Sequence, residues 1–330
     1  MENGLQEHRI AAELLPYLPN DLRSIFNRFS AADWAKMEEI RLRVFQPTII
    51  RTHEGDFFIN AKGSLAKDSD NAIYCTYAQV RQAVLLLSES SYYAFEEEIR
   101  RGYLTLKGGH RAGFSGKAVL DRGMIQTLKD ISSINLRIAH HIPDTAREVL
   151  PYLFEDGMFC NTLIISPPGA GKTTLLRNIA YELSQGVHCL PNTVSIVDER
   201  SEIAAMVYGI PQLPVGMRTD VLDGCPKAEG IMLMIRSMSP QVIVCDEIGR
   251  SEDAYAIREA VNAGVKMVVS AHAKNYEELK ERPVMAEILQ SGCFKRVVTL
   301  SRSNGPGSVE DIQTETLQSI FHPRLLRKRG

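Results

Sequence analysis

The chain has 330 residues, 44% of them hydrophobic, and a formal charge of −2 from Lys+Arg 38 against Asp+Glu 40. That length leaves room for two domains, each with its own core. The near-neutral balance argues against a broadly basic nucleic-acid surface, though not against a local patch, and no apolar run reaches the roughly eighteen residues that span a membrane.

The opening "MENGLQEHRI" has no apolar stretch behind it, so no signal peptide is expected and the chain reads as cytoplasmic. "AQVRQAVLLLSE" (78–89) has helical spacing. "GYLTLKGGHRAGFSGKAVL" (102–120) alternates polar and apolar residues around glycines 102, 108, 109, 113 and 116, which predicts short strands joined by tight turns. "ISSINLRIAHHIPD" (131–144) predicts a strand leaving this domain, and "TAREVLPYLFEDG" (145–157) a connecting helix and turn. The boundary is expected near residue 145, giving a mixed α+β domain over 1–145 and a second domain over 146–330.

The second half changes rhythm. Short apolar runs at "NTLIIS" (161–166), "TVSIVD" (193–198), "QVIVCD" (241–246), "KMVVSAH" (266–272) and "RVVTLS" (296–301) are mostly separated by helical patterns. Buried strands alternating with helices imply an α/β domain with a parallel sheet covered on both faces. Ligands in such sheets bind at the carboxyl ends of the strands. The six cysteines, Cys75, Cys160, Cys189, Cys225, Cys245 and Cys293, form no C-x-x-C pair and no zinc spacing, and read as free thiols of a reducing compartment.

"ISPPGAGKTTLLRNIA" (165–180) approaches the phosphate-loop pattern Gly-x-x-x-x-Gly-Lys-Thr, with Ser166 in place of the leading glycine. An apolar strand before it and a helix after it supply the required context. The cradle would comprise Ser166, Pro167, Pro168, Gly169, Ala170, Gly171, Lys172, Thr173 and Thr174. Backbone N–H groups from Gly169 to Thr173 would face a phosphate. Lys172 would reach the β and γ phosphates of ATP, Thr173 would ligate Mg²⁺, and Thr174 would touch the α phosphate. Ser166 precedes the cradle, so a residue other than glycine there needs only a negative φ, or tolerance of about 1–3 kcal/mol of strain.

A phosphate loop needs a metal partner and a base. In "QVIVCDEIGR", Asp246 would orient Mg²⁺ or its water, and Glu247 would polarise the attacking water. In "SIVDERSEIA", Asp198 and Glu199, with Glu202 beside them, would touch the metal or that water; the plainer reading is a helix cap with acidic first-turn residues. His272 in "VVSAHA" would sense the γ phosphate, or serve as an ordinary hydrogen-bonded strand-end histidine. Transition-state charge calls for a further cation, often an arginine from a neighbouring subunit. Arg111 in "GGHRAG" and Arg137 in "NLRIA" are the first-domain choices, with Arg218 and Arg236 as competitors in the second.

In order, the phosphate loop, acidic box, "DE" box and His box resemble the secretion-type ATPases of type II and type IV systems. "GYLTLKGGHRAGFSG", "SSINLRIA", "PPGAGKTTLLR", "IVDERSEIAA", "RTDVLDGCPKAEGIMLMIRSMSPQVIVCDEIG" and "VVSAHA" resemble more closely the stage III sporulation protein AA family, over residues 35–315. The resemblance implies a RecA-like P-loop ATPase using ATP and Mg²⁺ and acting as a homo-oligomeric ring, such as a hexamer. It also implies work at the mother-cell side of a membrane channel in endospore formation, with channel membrane proteins as partners; the near-neutral charge leads to no expected nucleic-acid partner. The alternative is a nucleic-acid-dependent P-loop ATPase, which near-neutral charge disfavours. A scaffold binding nucleotide without hydrolysis is disfavoured by Glu247, and a transporter-type ATPase by the lack of a Leu-Ser-Gly-Gly-Gln signature. The basic tail residues Arg324, Arg327, Lys328 and Arg329 suit a disordered end, or a peripheral contact with anionic lipid.

Overall fold

The computed structural model describes residues 9–88, 102–140, 142–187, 189–303 and 305–322; the basic tail lies outside them. The chain divides into two compact units, Met1–His140 and His141–Gly330. Among the described residues no helix is long and apolar enough to cross a membrane, and all six cysteines are free.

The first unit packs helices against one antiparallel sheet. Residues 9–14 are helical, followed by α1 (Asn20–Phe26) and α2 (Ala31–Lys36). Ser30 and Asp33 form a reciprocal capping box at the start of α2, which satisfies N–H groups that the first helical turn leaves without partners. The strands are β1 (Met37–Arg43), β2 (Ile49–Thr52), β3 (Gly55–Ile59) and β4 (Leu65–Ala66). After α3 (Tyr77–Leu87) come β5 (Tyr103–Thr105), β6 (Arg111–Asp121) and β7 (Met124–Arg137). Their order is β4-β3-β2-β1-β7-β6-β5. Leu22, Phe26, Trp34, Ile40 and Leu136 fill the core between helices and sheet. The β6–β7 hairpin carries a bulge between Ser115 and Lys117. A Cβ on the intervening Gly116 would lie 2.8 Å from Ile131 Cα, so the bulge closes only around glycine.

In the second unit, β8 (Phe154–Glu155) and β9 (Met158–Phe159) form a small hairpin. The main sheet is built from β10 (Thr162–Ser166), β11 (Val194–Asp198), β14 (Thr219–Asp223), β15 (Val242–Cys245), β16 (Lys266–His272), β17 (Arg296–Ser301) and β18 (Ser308–Thr314); β12 (Met206–Val207) and β13 (Ile210–Pro211) pair apart from it. The order is β14-β11-β15-β16-β10-β17-β18. All neighbours are parallel except β17 and β18.

Alternation along β10 explains how the sheet is covered. Ile164 joins Leu176 and Ile179 of α4 (Lys172–Gln185) in one core. Leu163 and Ile165 join a second core with Ile231 of α5 (Lys227–Met238) and Ile257 of α6 (Ser251–Asn262). Both faces are therefore dry, and β10, β11 and β15 are buried at every residue. Two short helices, α7 (Tyr276–Lys280) and α8 (Pro283–Gln290), connect β16 to β17.

Two expectations need correction. The segment 145–157 is no helix: turns lead into a 3₁₀ turn at Leu150–Leu153 and then β8. Pro151 suits the first turn of that short helix but lacks the N–H that a longer one would use. The strand expected over 131–144 begins earlier, at Met124, and ends at Arg137. β14 and β18 are additions to the predicted strands.

Candidate active site

After Ser166 the chain turns through Pro167, Pro168, Gly169, Ala170 and Gly171 before α4 begins at Lys172. Gly169 and Gly171 have φ of 70° and 90°, a region costly for residues with a Cβ. The arrangement sets a glycine-rich loop at a helix N-terminus, where N–H groups and the helix dipole favour an anion. Ser166 is not among the left-handed residues, so the non-glycine there is unstrained. It is fully buried, and its hydroxyl donates to the Pro167 carbonyl at 2.9 Å.

Strand order decides what surrounds the loop. Running β11-β15-β16-β10 along the carboxyl edge, the strands end in or lead into Asp198, Asp246, His272 and Ser166. Ser166 and His272 are register partners on adjacent strands. Lys172 in the first turn of α4 is buried, and its Nζ lies 2.9 Å from His272 Nδ1 and 3.9 Å from Glu247 Oε1. His272 Nε2 lies 2.6 Å from Glu247 Oε1. Lys172 Nζ also lies 3.2 Å from Nε2, but a carboxylate can only accept, so the contact with Glu247 calls for the proton on Nε2 and leaves Nδ1 to accept from the ammonium. Burial lowers the Lys172 pKa, against the pull of Glu247 and Asp246. Thr173 and Thr174 follow in the same helical turn and are half-buried.

Glu247 holds a left-handed backbone at φ 42°. Its N–H donates to Ser270 Oγ at 3.1 Å, and its Oε2 faces Arg200 Nη1 at 3.3 Å. A non-glycine residue in this region costs about 1–3 kcal/mol, and such strain clusters at functional sites. Here it turns the carboxylate out of the strand line toward Lys172 and His272.

Asp246 is 2% exposed, and neither carboxylate oxygen has a hydrogen-bond partner. Burial pushes its pKa up to about 7, aided by Asp198 and opposed by Lys227. A buried carboxylate with both oxygens unpaired is costly unless a cation takes them. Two free hard oxygens fit Mg²⁺, which binds through one or two carboxylates, substrate phosphates and water rather than an all-protein cage.

Asp198 departs from the expectation of a metal or water ligand. It is fully buried, and its carboxylate accepts from the backbone N–H groups of Glu202 (2.7 Å), Ile203 (2.8 Å) and Ala204 (2.9 Å). That geometry makes it a brace for the following loop. Burial raises its pKa to about 6 despite those bonds. Glu199 forms an ion pair with Lys227 at the start of α5. Burial depresses the Lys227 pKa, but Glu199 and Asp246 more than offset this, so it stays charged.

Arg111 and Arg137 face each other as register partners on β6 and β7, so both side chains leave the same face of the first sheet. Arg111 also stacks over the Tyr103 ring at 4.5 Å. Arg218 directly precedes β14, whose first residue pairs with the first residue of β11. It therefore sits at the edge of the sheet opposite the phosphate loop, donating to the Ser184 carbonyl at 3.1 Å. Arg236 on α5 donates to the Met232 carbonyl at 3.0 Å and lines a groove with Leu233 and Tyr255. Three cations near these groups were missed in the sequence: Arg200, Lys227 and the buried Arg177, which donates to the Ile203 carbonyl at 3.1 Å. Arg200 adjoins the acidic box, but nothing local marks its reach to Glu247.

The fold matches solved ATPase structures at low identity. The ATPase DotB of Yersinia pseudotuberculosis aligns over 89% of this chain and 78% of its own, at TM-score 0.53 and 12% identity. The pilus retraction motor PilT with bound ADP aligns over 80% and 74%, at TM-score 0.51 and 15% identity. These likenesses show a shared fold, in which the second unit is a RecA-like P-loop domain and the smaller first unit is mixed α+β. In sequence, the stage III sporulation protein AA of Bacillus subtilis (strain 168) is 42% identical over 306 residues, covering 91% of this chain and 94% of that protein. The uncharacterized protein ycf45 of Porphyra purpurea is 30% identical over 178 residues, covering 51% of this chain and 30% of its own. The family described as "Sporulation stage III, protein AA" matches residues 8–320, and the chain belongs to that family.

Proposed function

We propose that this chain is a Mg²⁺-dependent ATPase of the secretion type, with its ATPase domain over 146–330 and a smaller domain over 1–145. The observation that carries this reading is Asp246: a buried carboxylate with both oxygens unpaired, on the strand edge that carries the phosphate loop. Asp246 and the Thr173 hydroxyl would hold Mg²⁺, which when bound neutralises charge on the phosphates. Lys172 exchanges its His272 contact for phosphate oxygen. Glu247, released from Lys172, accepts the proton of the attacking water while His272 Nε2–H holds its carboxylate in place.

Family membership supports a role in endospore formation, with the chain working as a ring, such as a hexamer, at the cytoplasmic, mother-cell face of a membrane channel. Arg111 and Arg137 share one face of the first sheet and would complete the site of a neighbouring subunit. The test is ATP turnover against protein concentration. Lys172→Ala should lose nucleotide binding, and Glu247→Gln should bind ATP yet turn over at least about 100-fold more slowly. Native turnover by either variant would overturn the reading. Mixing Arg111→Ala/Arg137→Ala chains with Lys172→Ala chains should restore activity, because one composite site is intact. Stimulation by DNA would favour the nucleic-acid alternative.

A further inference from the structure

We propose that Arg302, in the turn between β17 and β18, is a second phosphate-binding cation of the same subunit, paired with Lys172 across the loop. This inference rests on the nucleotide reading above and adds a residue to it. The turn is fastened to the phosphate loop: the Gly307 N–H donates to the Ala170 carbonyl at 2.9 Å. Contact at Gly171 is equally close, since a Cβ there would lie 2.9 Å from Gly307 N and 3.1 Å from Gly307 Cα. The same turn carries Arg302 to the start of the cradle, where its Nη1 lies 3.7 Å from the place a Cβ on Gly169 would occupy.

The backbone around Arg302 is braced from both sides. Gly305 N–H donates to the Arg302 carbonyl at 3.1 Å, Ser303 N–H to Ser301 Oγ at 3.1 Å, and Ser308 Oγ to the Gly305 carbonyl at 2.7 Å. Glu310, the carboxylate on the facing strand, accepts from the hydroxyls of Ser301 and Ser303 rather than from the arginine. Among the described residues the Arg302 guanidinium has no hydrogen bond or ion pair. An exposed guanidinium thus extends from a braced turn to the start of a loop whose N–H groups and helix dipole favour an anion. It reaches phosphate oxygens in the geometry that guanidinium matches best, a planar fork of two N–H donors. The two cations bracket the cradle, Arg302 by Gly169 and Lys172 just past Gly171. Because the turn is hydrogen-bonded to its own loop, Arg302 acts within one subunit, unlike the Arg111/Arg137 pair.

The test compares binding of adenosine, ADP and ATP to the full-length wild type, Arg302→Ala and Arg302→Lys by calorimetry. Arg302→Ala should leave adenosine unchanged and weaken ATP by about ten-fold, with ADP between them; Arg302→Lys should recover part of the loss. Equal affinities of wild type and Arg302→Ala for all three ligands would overturn the proposal. So would an equal loss for adenosine, which would mark a structural role. Mixing Arg302→Ala with Lys172→Ala chains separates the two arginine roles. No rescue is expected, because each site takes both cations from one chain, and rescue would overturn the same-subunit assignment. If Lys172→Ala also binds ATP like wild type, the nucleotide reading fails rather than this addition to it.

Discussion

Replacing Asp198 by alanine separates two roles that a strand-end carboxylate can have. The structure gives its oxygens to three backbone N–H groups, those of Glu202, Ile203 and Ala204, at 2.7 to 2.9 Å. A hydrogen bond to a charged group is worth about 1.5–3 kcal/mol, and relief of a buried carboxylate offsets part of that. The expected net cost is about 4 kcal/mol, which lowers Tm by roughly 8–16 °C for a unit of this size. Thermal unfolding and urea titration, each at pH 7 without nucleotide, measure it. Turnover well below Tm should fall by less than about ten-fold, because on this account Asp198 touches neither metal nor water. A variant that melts like wild type but loses turnover by more than about 100-fold would refute the reasoning and restore Asp198 as a ligand. A pH series adds a second check. The folded pKa of about 6 lies above the ordinary 3.8, so between these values the folded state keeps a proton that the unfolded chain has lost. Asp198 therefore contributes a fall in unfolding free energy of about 1.4 kcal/mol per unit as pH rises through that window; Asp246, pushed up to about 7, contributes a fall of the same sign, so Asp198→Ala should make the slope shallower without abolishing it.

Gly171→Ala should fold with a loss of about 1–3 kcal/mol from its φ of 90° and push the β17–β18 turn off the loop. ATP affinity should fall at least ten-fold as the cradle distorts, and wild-type affinity by calorimetry would show that the turn moves freely. Ser166→Gly should cost no more than about 1 kcal/mol of stability, through added backbone entropy, and change ATP affinity by less than about two-fold. A larger loss of affinity would show that the Ser166 hydroxyl does more than bond to the Pro167 carbonyl.

What the sequence reveals depends on how local the determining forces are. The core strands were legible because burial on both faces writes a run of apolar residues, as in Leu163–Ile165 and Val242–Val244. β18 was not, because it is an edge strand with one wet face; in "SVEDIQT" only Ile312 is fully buried. β14 is half-exposed along "TDVLD" and writes no apolar run either. The phosphate loop is a single strand-loop-helix segment, so its residues could be named from spacing alone. Asp198 and Asp246 look alike in sequence, each ending an apolar run. Only the fold shows that one is saturated by N–H groups and the other has no partner. Lys227 and Arg302 join the site through crossovers, from 28 and 130 positions after Glu199 and Lys172, distances over which residue patterns carry no signal.

The charges on this edge argue for cations beyond the phosphate loop's own lysine. Asp198, Asp246, Glu199, Glu202 and Glu247 crowd the ends of β11 and β15. The cations among them are already engaged: Lys227 by Glu199, Arg200 by Glu247, and Arg177 by the Ile203 carbonyl. Lys172 is linked to His272 and through it to Glu247. A triphosphate brings further negative charge, and its bound metal neutralises only part of that. Lys172 cannot serve both Glu247 and phosphate at full strength in a site where burial already lowers its pKa. Positive charge must come from outside the acidic row. Arg302 lies within reach of the cradle on its own subunit. Arg111 and Arg137, register partners on a sheet of the other unit, are the cations proposed above to come from a neighbouring chain. On the proposed reading, nucleotide binding would be complete in one subunit, through Lys172 and Arg302, while turnover would wait on the arginines of a neighbouring chain.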